Sequence, residues 1–380
     1  MMKIAIFSDS FFPLIDGVTT SIKNNMEILS KKNKIYFFVP SGTGKLNISN
    51  SKYTQLKSFP IKSYKGYKLR IPTFRKVYEE LKKIKPDLIH IHSIFGVGWE
   101  GLIAGKMLKI PVIATAHTIF PEVGSELDLK GFERTQAFNK IAWGFMRTFF
   151  NKCDAVITPS EIMVKELKNQ GINKPIYPIS NGIDTKKFSY SKRKKRTPTF
   201  ISTSRLVESK HIDVILKAFK IFIKNNKGKL LIVGGGPEEK KLKQFAIKNH
   251  LLQNVEFKGF VKPEKIIKEY KKADVFLTAS TIETEGITTL EAMSTGLPVI
   301  GVDARATPNL VKKDAGFIIP IGNEKQFAEK LEKLTKNYSL RIKMGKDASK
   351  RAKEFELKKM NKKLFENYKK TIKNYSSKKY

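Results

Sequence analysis

Short apolar runs recur along this chain, each followed by a longer stretch of helical spacing, and the pattern starts afresh after residue 196. In the first half KIAIFS, KIYFFV, DLIHIH, PVIATAH, AVITPS and PIYPIS read as strands. TFISTS, KLLIVGG, VEFKGF, VFLTAS, PVIGVD and GFIIPI follow in the second. Strands that alternate with helices imply parallel sheets with crossover helices. Runs apolar at successive positions suit sheets buried on both faces. The expectation is an α/β protein built from two successive units.

The length and composition agree with this. A chain of 380 residues exceeds one simple core, and a 41% hydrophobic content is ample for two. The break falls within KKFSYSKRKKRTP, which is charged and lacks apolar period. The expected division is a first domain over 1–190, a basic linker over 191–198, a second domain over 199–355 and a terminal helix over 356–380. Phe355, Leu357, Met360, Leu364 and Tyr368 give that last segment its helical spacing. The KRKKR run reads as a solvated linker, with a nuclear-localisation or nucleic-acid patch as the alternative.

The formal charge is +38, from 73 basic and 35 acidic residues. Coding bias accounts for such a Lys-rich excess as well as an anionic partner does, whether nucleic acid, membrane surface or phosphorylated substrate. The scarcity of Arg, the residue suited to bidentate reading of bases, disfavours specific nucleic-acid recognition. Cys153 stands alone, so no disulfide within the chain and no cysteine metal site is expected, which fits a reducing cytosol. The first residues, MMKIAIFSDSFFP, read as a strand, not a signal peptide, because Ser8, Asp9 and Ser10 break the apolar run. No stretch approaches the roughly 18 apolar residues of a membrane span, so a soluble or peripheral protein is expected.

Two helical segments bear on membranes. In PTFRKVYEELKKIKP, bracketed by Pro72 and Pro86, Phe74, Val77, Tyr78, Leu81 and Ile84 recur at helical spacing among Arg75, Lys76, Lys82 and Lys83. A basic amphipathic helix on an anionic membrane and a core-facing helix with a solvated basic side fit this equally. In AFNKIAWGFMRTFFNK, positions 138, 141, 142, 145, 146, 149 and 150 form one apolar stripe, the pattern of a core helix. Trp143, off the stripe, is expected to pack against a neighbour.

Ligands of doubly wound sheets bind beyond the carboxyl ends of strands, so those ends are the candidate sites. After the first strand Gly17 opens a helix, where free backbone N–H groups can meet a phosphate. His117 ends PVIATAH, and His90 and His92 share one face of DLIHIH without a third ligand in view. Arg205 and Lys210 follow TFISTS, two cations suited to a diphosphate. The GGGP run at 234–237 lacks dinucleotide spacing and reads as a turn. In ETEGITTLEAM, Glu283 lies in a loop, Gly286, Ile287, Thr288 and Thr289 form the first helical turn, and Glu291 lies inside the helix. The acids read as two posts on either side of an anion-binding turn, not as a converging carboxylate pair.

The chain resembles a glycosyltransferase of family 4. The resemblance spans nearly its whole length: PLIDGVTTSI, TAHTIFPE, DAVITPSE, SNGID with Phe188, SRL followed by Lys210, GGGP, and STIETEGITTLEAMSTGLPVI with seven residues between its two glutamates. It implies the GT-B fold, two Rossmann-like doubly wound parallel-sheet domains facing a central cleft, with the last helix crossing back to the first domain. It implies a donor nucleotide sugar, UDP-glucose by expectation, as co-substrate, with no cofactor and no metal required. Arg205 and Lys210 would neutralise the diphosphate, helped by Gly17 and the helix starting at Gly286. Glu291 would hold the ribose, Glu283 the sugar hydroxyls, and His117 the sugar beside the acceptor. Gly259 and Phe260 would lie at the base. The sequence departs from the family pattern at Ser204, Ser209 and Asp16, which leaves the role of Glu208 open.

Within the family the ETEG variant, TAHTIFPE and the basic helix most resemble bacterial enzymes that glucosylate diacylglycerol. That implies a retaining hexosyltransferase making glycolipid, cytoplasmic and peripheral on the inner face of the membrane. Its partners would be an anionic lipid surface, through Phe74, Arg75, Lys76, Val77, Tyr78, Lys82 and Lys83, and a diacylglycerol acceptor. A polysaccharide or teichoic-acid acceptor is the alternative. A charge-driven nucleic-acid binder is the remote one.

Overall fold

The structure, a computed structural model, describes residues 1–14, 16–60, 68–70, 74–119 and 135–377. Ile15, Pro72, residues 120–122 of TAHTIFPE and residues 378–380 of the tail lie outside the described residues. The chain divides into two compact units, Met1–Gly182 with Leu357–Tyr380, and Ile183–Glu356.

Unit 1 carries strands β1 (Lys3–Phe7), β2 (Lys34–Pro40), β3 (Ser51–Leu56), β4 (Phe59–Pro60), β5 (Lys68–Leu69), β6 (Leu88–Ile91), β7 (Val112–Thr115), β8 (Ala155–Thr158) and β9 (Ile176–Pro178). Its helices before residue 182 are α1 (Gly17–Leu29), α2 (Arg75–Ile84), α3 (Gly96–Met107), α4 (Gln136–Phe150) and α5 (Glu161–Asn169). The main sheet runs β3-β2-β1-β6-β7-β8-β9, every pair parallel. Ile4, Ile6 and Phe7 are fully buried, and Phe7 stacks on Phe38 at 4.4 Å, as expected of a strand covered on both faces. Strand β3 escapes the apolar-run rule. SKYTQL lies at the sheet edge, and of its six residues only Leu56 is fully buried.

Unit 2 holds β10 (Thr199–Thr203), β11 (Lys229–Val233), β12 (Val255–Gly259), β13 (Val275–Thr278), β14 (Val299–Val302) and β15 (Gly316–Ile319). Its α-helices are α6 (Ile212–Ile223), α7 (Glu239–Lys248), α8 (Ile266–Lys272), α9 (Ile287–Ser294), α10 (Thr307–Ala315), α11 (Glu324–Lys336) and α12 (Tyr338–Ala352). The parallel sheet runs β12-β11-β10-β13-β14-β15. The order of each sheet reverses once, beside β1 and beside β10, the switch points where doubly wound sheets take ligands. The last helix, α13 (Leu357–Ser377), belongs to unit 1, where Asn361 donates to Asn25 Oδ1 at 3.0 Å.

Of the basic stretch expected as a linker, Lys192, Lys194, Lys195 and Arg196 are exposed, whereas Arg193 packs into unit 2. Arg193 is only 4% exposed, and its guanidinium donates to the carbonyls of Ser191, Tyr270 and Thr295. In α2 the core takes Val77 and Leu81, leaving Arg75, Lys76, Lys82 and Lys83 on the outside. The stripe of α4 is broken at Ile141, 64% exposed, whereas Trp143 packs against the core. Cys153 is buried, and burial pushes its thiol well above the usual range, as suits an inert core residue. Among the described residues no helix is long and apolar enough to cross a membrane.

Candidate active site

In unit 2 the site grows from the carboxyl ends of β10 and β13. The loop after β10 carries Arg205, and the GGGP turn after β11 fits closely against it. A Cβ on Gly234 would lie 1.8 Å from the Ser204 carbonyl, and one on Gly236 would lie 2.4 Å from that of Leu206. The backbones can approach this closely only because these positions lack side chains. Leu206 N–H donates to Gly235 O at 2.9 Å, and Gly234 N–H to Gly259 O at 2.8 Å. The glycine run therefore fixes where Arg205 leaves the backbone. Phe260, next to Gly259, is 68% exposed.

Lys210 and Glu283, 73 positions apart, form one ion pair. Lys210 Nζ lies 2.6 Å from Glu283 Oε1 and donates to Ser280 Oγ at 3.4 Å. Burial pushes the Glu283 carboxyl up, but Lys210, Ser280 and Arg205 outweigh it and hold the pKa below the ordinary value. The loops are tied together: Thr281 N–H donates to Ser209 O at 3.2 Å, and Ala306 N–H to Glu283 O at 3.1 Å.

Beyond Glu283, Gly286 stands at φ +84°, the left-handed conformation glycine tolerates, and opens α9. The first turn, Ile287, Thr288 and Thr289, carries the amides without helical partners that favour an anion. Inside the helix Glu291 accepts from the Tyr270 hydroxyl at 2.9 Å. Burial pushes its pKa up to about 7, against the pull of that bond and of Lys187. The two glutamates thus keep separate partners.

Tyr270 is the residue that sequence reasoning missed. Nothing in IIKEYKK separates it from an ordinary core position, and only the fold brings its hydroxyl to α9. Ser280 and His211, which lies 3.3 Å from Thr281 Oγ1, were missed for the same reason.

In unit 1, Asp16 caps α1 by accepting from Thr19 N–H at 2.7 Å and from Ser10 Oγ at 2.5 Å. The departure at that position therefore has a structural use. Gly17 follows it, exposed, as the first residue of the helix. His117, just past β7, is buried, and its Nε2 lies 3.0 Å from His92 Nδ1. His90 joins Tyr368 Oη and Thr115 Oγ1, each at 2.6 Å. Burial drives His90 down to about 3, His117 to about 4 and His92 well below its usual value, so all three are neutral at pH 7. Among the described residues no group of three or more His, Cys, Asp or Glu is arranged to hold a metal.

The family model described as Glycosyltransferase Family 4 matches residues 15–187, and that described as Glycosyl transferases group 1 matches residues 183–351. The alpha-monoglucosyldiacylglycerol synthase of Streptococcus pneumoniae is 30% identical over 315 residues, covering 79% of this chain and 70% of that protein. The enzyme of the same name from Acholeplasma laidlawii is 30% identical over 319 residues, covering 79% of this chain and 80% of its own. Among solved structures, Anabaena HepE in complex with UDP-glucose matches with a TM-score of 0.77 at 19% identity, over 97% of this chain and all of that one. By its motifs, its two parallel sheets and these matches, the chain belongs to the family 4 glycosyltransferases of the GT-B fold.

Proposed function

We propose that this glycosyltransferase is a retaining, nucleotide-sugar-dependent enzyme that moves glucose from UDP-glucose onto the hydroxyl of 1,2-diacylglycerol, working from the cytoplasmic face of a membrane. The observation that carries this reading is the set Arg205, Lys210–Glu283 and the opening of α9, gathered at the carboxyl ends of β10 and β13. Two cations, a charged carboxylate and the opening amides of a helix support a sugar-diphosphate site here.

In this reading Arg205, Lys210 and the amides of Ile287, Thr288 and Thr289 take the diphosphate, with Gly17 at the start of α1 contributing an amide. Glu291 accepts from the ribose hydroxyls, and Glu283 from those of the sugar. Gly259 and Phe260 border the base, and His117 contacts the sugar. As the bond from the anomeric carbon to the phosphate oxygen breaks, negative charge grows on the leaving diphosphate. Fixed cations and helix amides stabilise it without reorganising. The acceptor oxygen bonds to the anomeric carbon on the same face, and its proton passes to the departing phosphate. No metal is required, because the cations supply the charge a divalent ion supplies elsewhere.

Two supports point to a lipid acceptor: the names of the two synthases and the outward cations of α2. Each lysine beside an anionic surface adds about 1 kcal/mol to attachment. Phe74, at the head of α2, and Tyr78 would meet the interface beside Arg75, Lys76, Lys82 and Lys83, whereas Val77 supports the helix from the core side. The test is a panel of nucleotide sugars against diacylglycerol in anionic vesicles, polysaccharide and teichoic acid, read by product mass. Glucosyl-diacylglycerol from UDP-glucose alone is the expected product. Transfer only to a glycan would overturn the acceptor, and transfer undiminished without lipid would overturn the membrane role.

A further inference from the structure

Unit 2 contains a second concentration of positive charge, at the opposite end of its sheet from the site above. A cavity of about 380 Å³ opens beside the start of β10. Lys195, Arg196, Lys227, Lys336 and Arg341 line it together with Tyr338, and among the described residues no carboxylate does. Lys195 and Arg196 precede β10, and Lys227 precedes β11, so the cavity lies at the amino ends of the strands. Arg205 and Glu283 follow the carboxyl ends, one strand length away, or about 16 Å at 3.3 Å per residue.

The charge beneath the cavity is not balanced. Arg193, Arg196 and Arg341 cluster around one carboxylate, the fully buried Asp274. Asp274 Oδ2 lies 3.3 Å from Arg196 and accepts from Thr199 N–H at 2.9 Å. Arg341, 2% exposed, donates only to the carbonyls of Leu334 and Arg196, at 2.6 and 3.5 Å. Arg193 likewise donates only to carbonyls. Among the described residues, the Nε atoms of Arg193 and Arg341 and Oδ1 of Asp274 have no hydrogen-bond partner. Burial works against both charges, and the attraction of Asp274 offsets only part of it. Buried cations are ordinarily paired; here the buried Arg193 and Arg341 share one carboxylate with Arg196, whose side chain is 48% exposed, which leaves one buried and one half-solvated positive charge without a negative partner. Of the rim cations, Lys336 has a carboxylate of its own in Glu332, on the outer face of α11.

We propose that this cavity is an anion site for a small phosphate-bearing ligand, separate from the sugar-nucleotide site and independent of its assignment. A phosphate ester brings close to two negative charges and three acceptor oxygens, which meets both the charge deficit and the number of donors. The volume lies in the range of ligand pockets, roughly 300–1,000 Å³. Tyr338, with the Arg341 guanidinium 5.5 Å from its ring centre, provides a flat wall for the organic part of the ligand.

The test is calorimetric titration of the full-length protein with inorganic pyrophosphate at fixed ionic strength. Three proteins are compared: the natural chain, a Lys195→Ala/Lys227→Ala double variant, and Arg205→Ala. Both lysines are exposed, so the double variant leaves the core intact. The expected result is a binding event weakened at least ten-fold in the double variant and retained in Arg205→Ala. A second arm measures binding to phosphatidylglycerol vesicles. Equal vesicle binding by the natural chain and the double variant assigns the site to a soluble phosphate ester. A ten-fold loss in the double variant, with competition by pyrophosphate, assigns it to a lipid headgroup. Pyrophosphate binding that is absent, or unchanged in the double variant, overturns the proposal.

Discussion

In unit 1 three histidines, His90, His92 and His117, lie on or just past neighbouring strands near the switch point, and burial drives all of them neutral. At the switch point of unit 2, Glu283 is partly buried, yet it stays charged because Lys210 and Arg205 are beside it. Glu291, two turns further on, has a phenol for a neighbour and is pushed up to about 7. The same doubly wound frame thus holds neutral hydrogen-bonding groups in one unit and fixed charge in the other. What decides is whether a counter-charge comes from a neighbouring loop, as Lys210 does, or only a hydroxyl does, as from Tyr368 and Tyr270.

The buried histidines and the Glu291 carboxyl should respond to acid in opposite directions. The folded histidines refuse a proton that the unfolded chain accepts as pH falls through 6.5. Their contribution is therefore complete above pH 6.5 and is lost as pH falls toward the folded values, about 4 for His117 and about 3 for His90. Between pH 6.5 and 5 the loss is about 2 kcal/mol for each of His90 and His117. Hydrogen exchange on β6 and β7 at pH 7 and pH 5 measures it, and equal protection at both would break the comparison.

The next effect in size concerns Glu283. Glu283→Ala should reduce glucosyl transfer about 100-fold, the size expected when a group that orients the reacting sugar is lost. UDP affinity, measured by calorimetry, should stay within a few-fold of the natural chain. A comparable loss in both would mean that Glu283 serves the nucleotide and not the sugar.

Glu291 runs the other way from the histidines. Its folded pKa is about 7 against the usual 4.5, so the folded carboxyl keeps a proton that the unfolded chain has already lost. The stability it contributes is complete below pH 4.5 and lost as pH rises through 7. Glu291→Gln, neutral throughout, should raise the urea midpoint at pH 8 by an amount worth on the order of 1–3 kcal/mol, while weakening UDP binding. A midpoint with the same pH slope in both proteins would show that the burial of this carboxylate has no such cost. The smallest effect is expected from Tyr368→Phe, about 1 kcal/mol from the hydrogen bond between α13 and His90. A melting curve reads it, and no change would mean that Thr115 alone holds the histidine.

The interior strands were legible because a strand buried on both faces has to be apolar at every position, and KIAIF or KLLIV can hardly be anything else. Strand β3 was not, because SKYTQL lies at an edge where every residue but Leu56 is at least partly exposed. Glu283, Gly286 and Glu291 could be placed on loop, turn and helix from ETEGITTLEAM alone, since spacing fixes position within an element. Their partners could not. Lys210 meets Glu283 across 73 residues, and Tyr270 meets Glu291 from another helix, and such contacts exist only once the sheet has assembled. Composition misled at one residue of KRKKR: Lys192, Lys194, Lys195 and Arg196 are exposed, but Arg193 finds three carbonyls and goes inside.

The ion pair between Lys210 and Glu283 also bears on selectivity. A lysine already joined to a carboxylate attracts passing anions weakly. Free phosphate would have to part the pair and leave Glu283, partly buried, with Arg205 as its nearest remaining cation, a cost that nothing in phosphate itself repays. A sugar diphosphate carries both halves of the exchange, an anion for the lysine and hydroxyls for the carboxylate. On the proposed function, the ion pair would yield only to a ligand that satisfies both residues together.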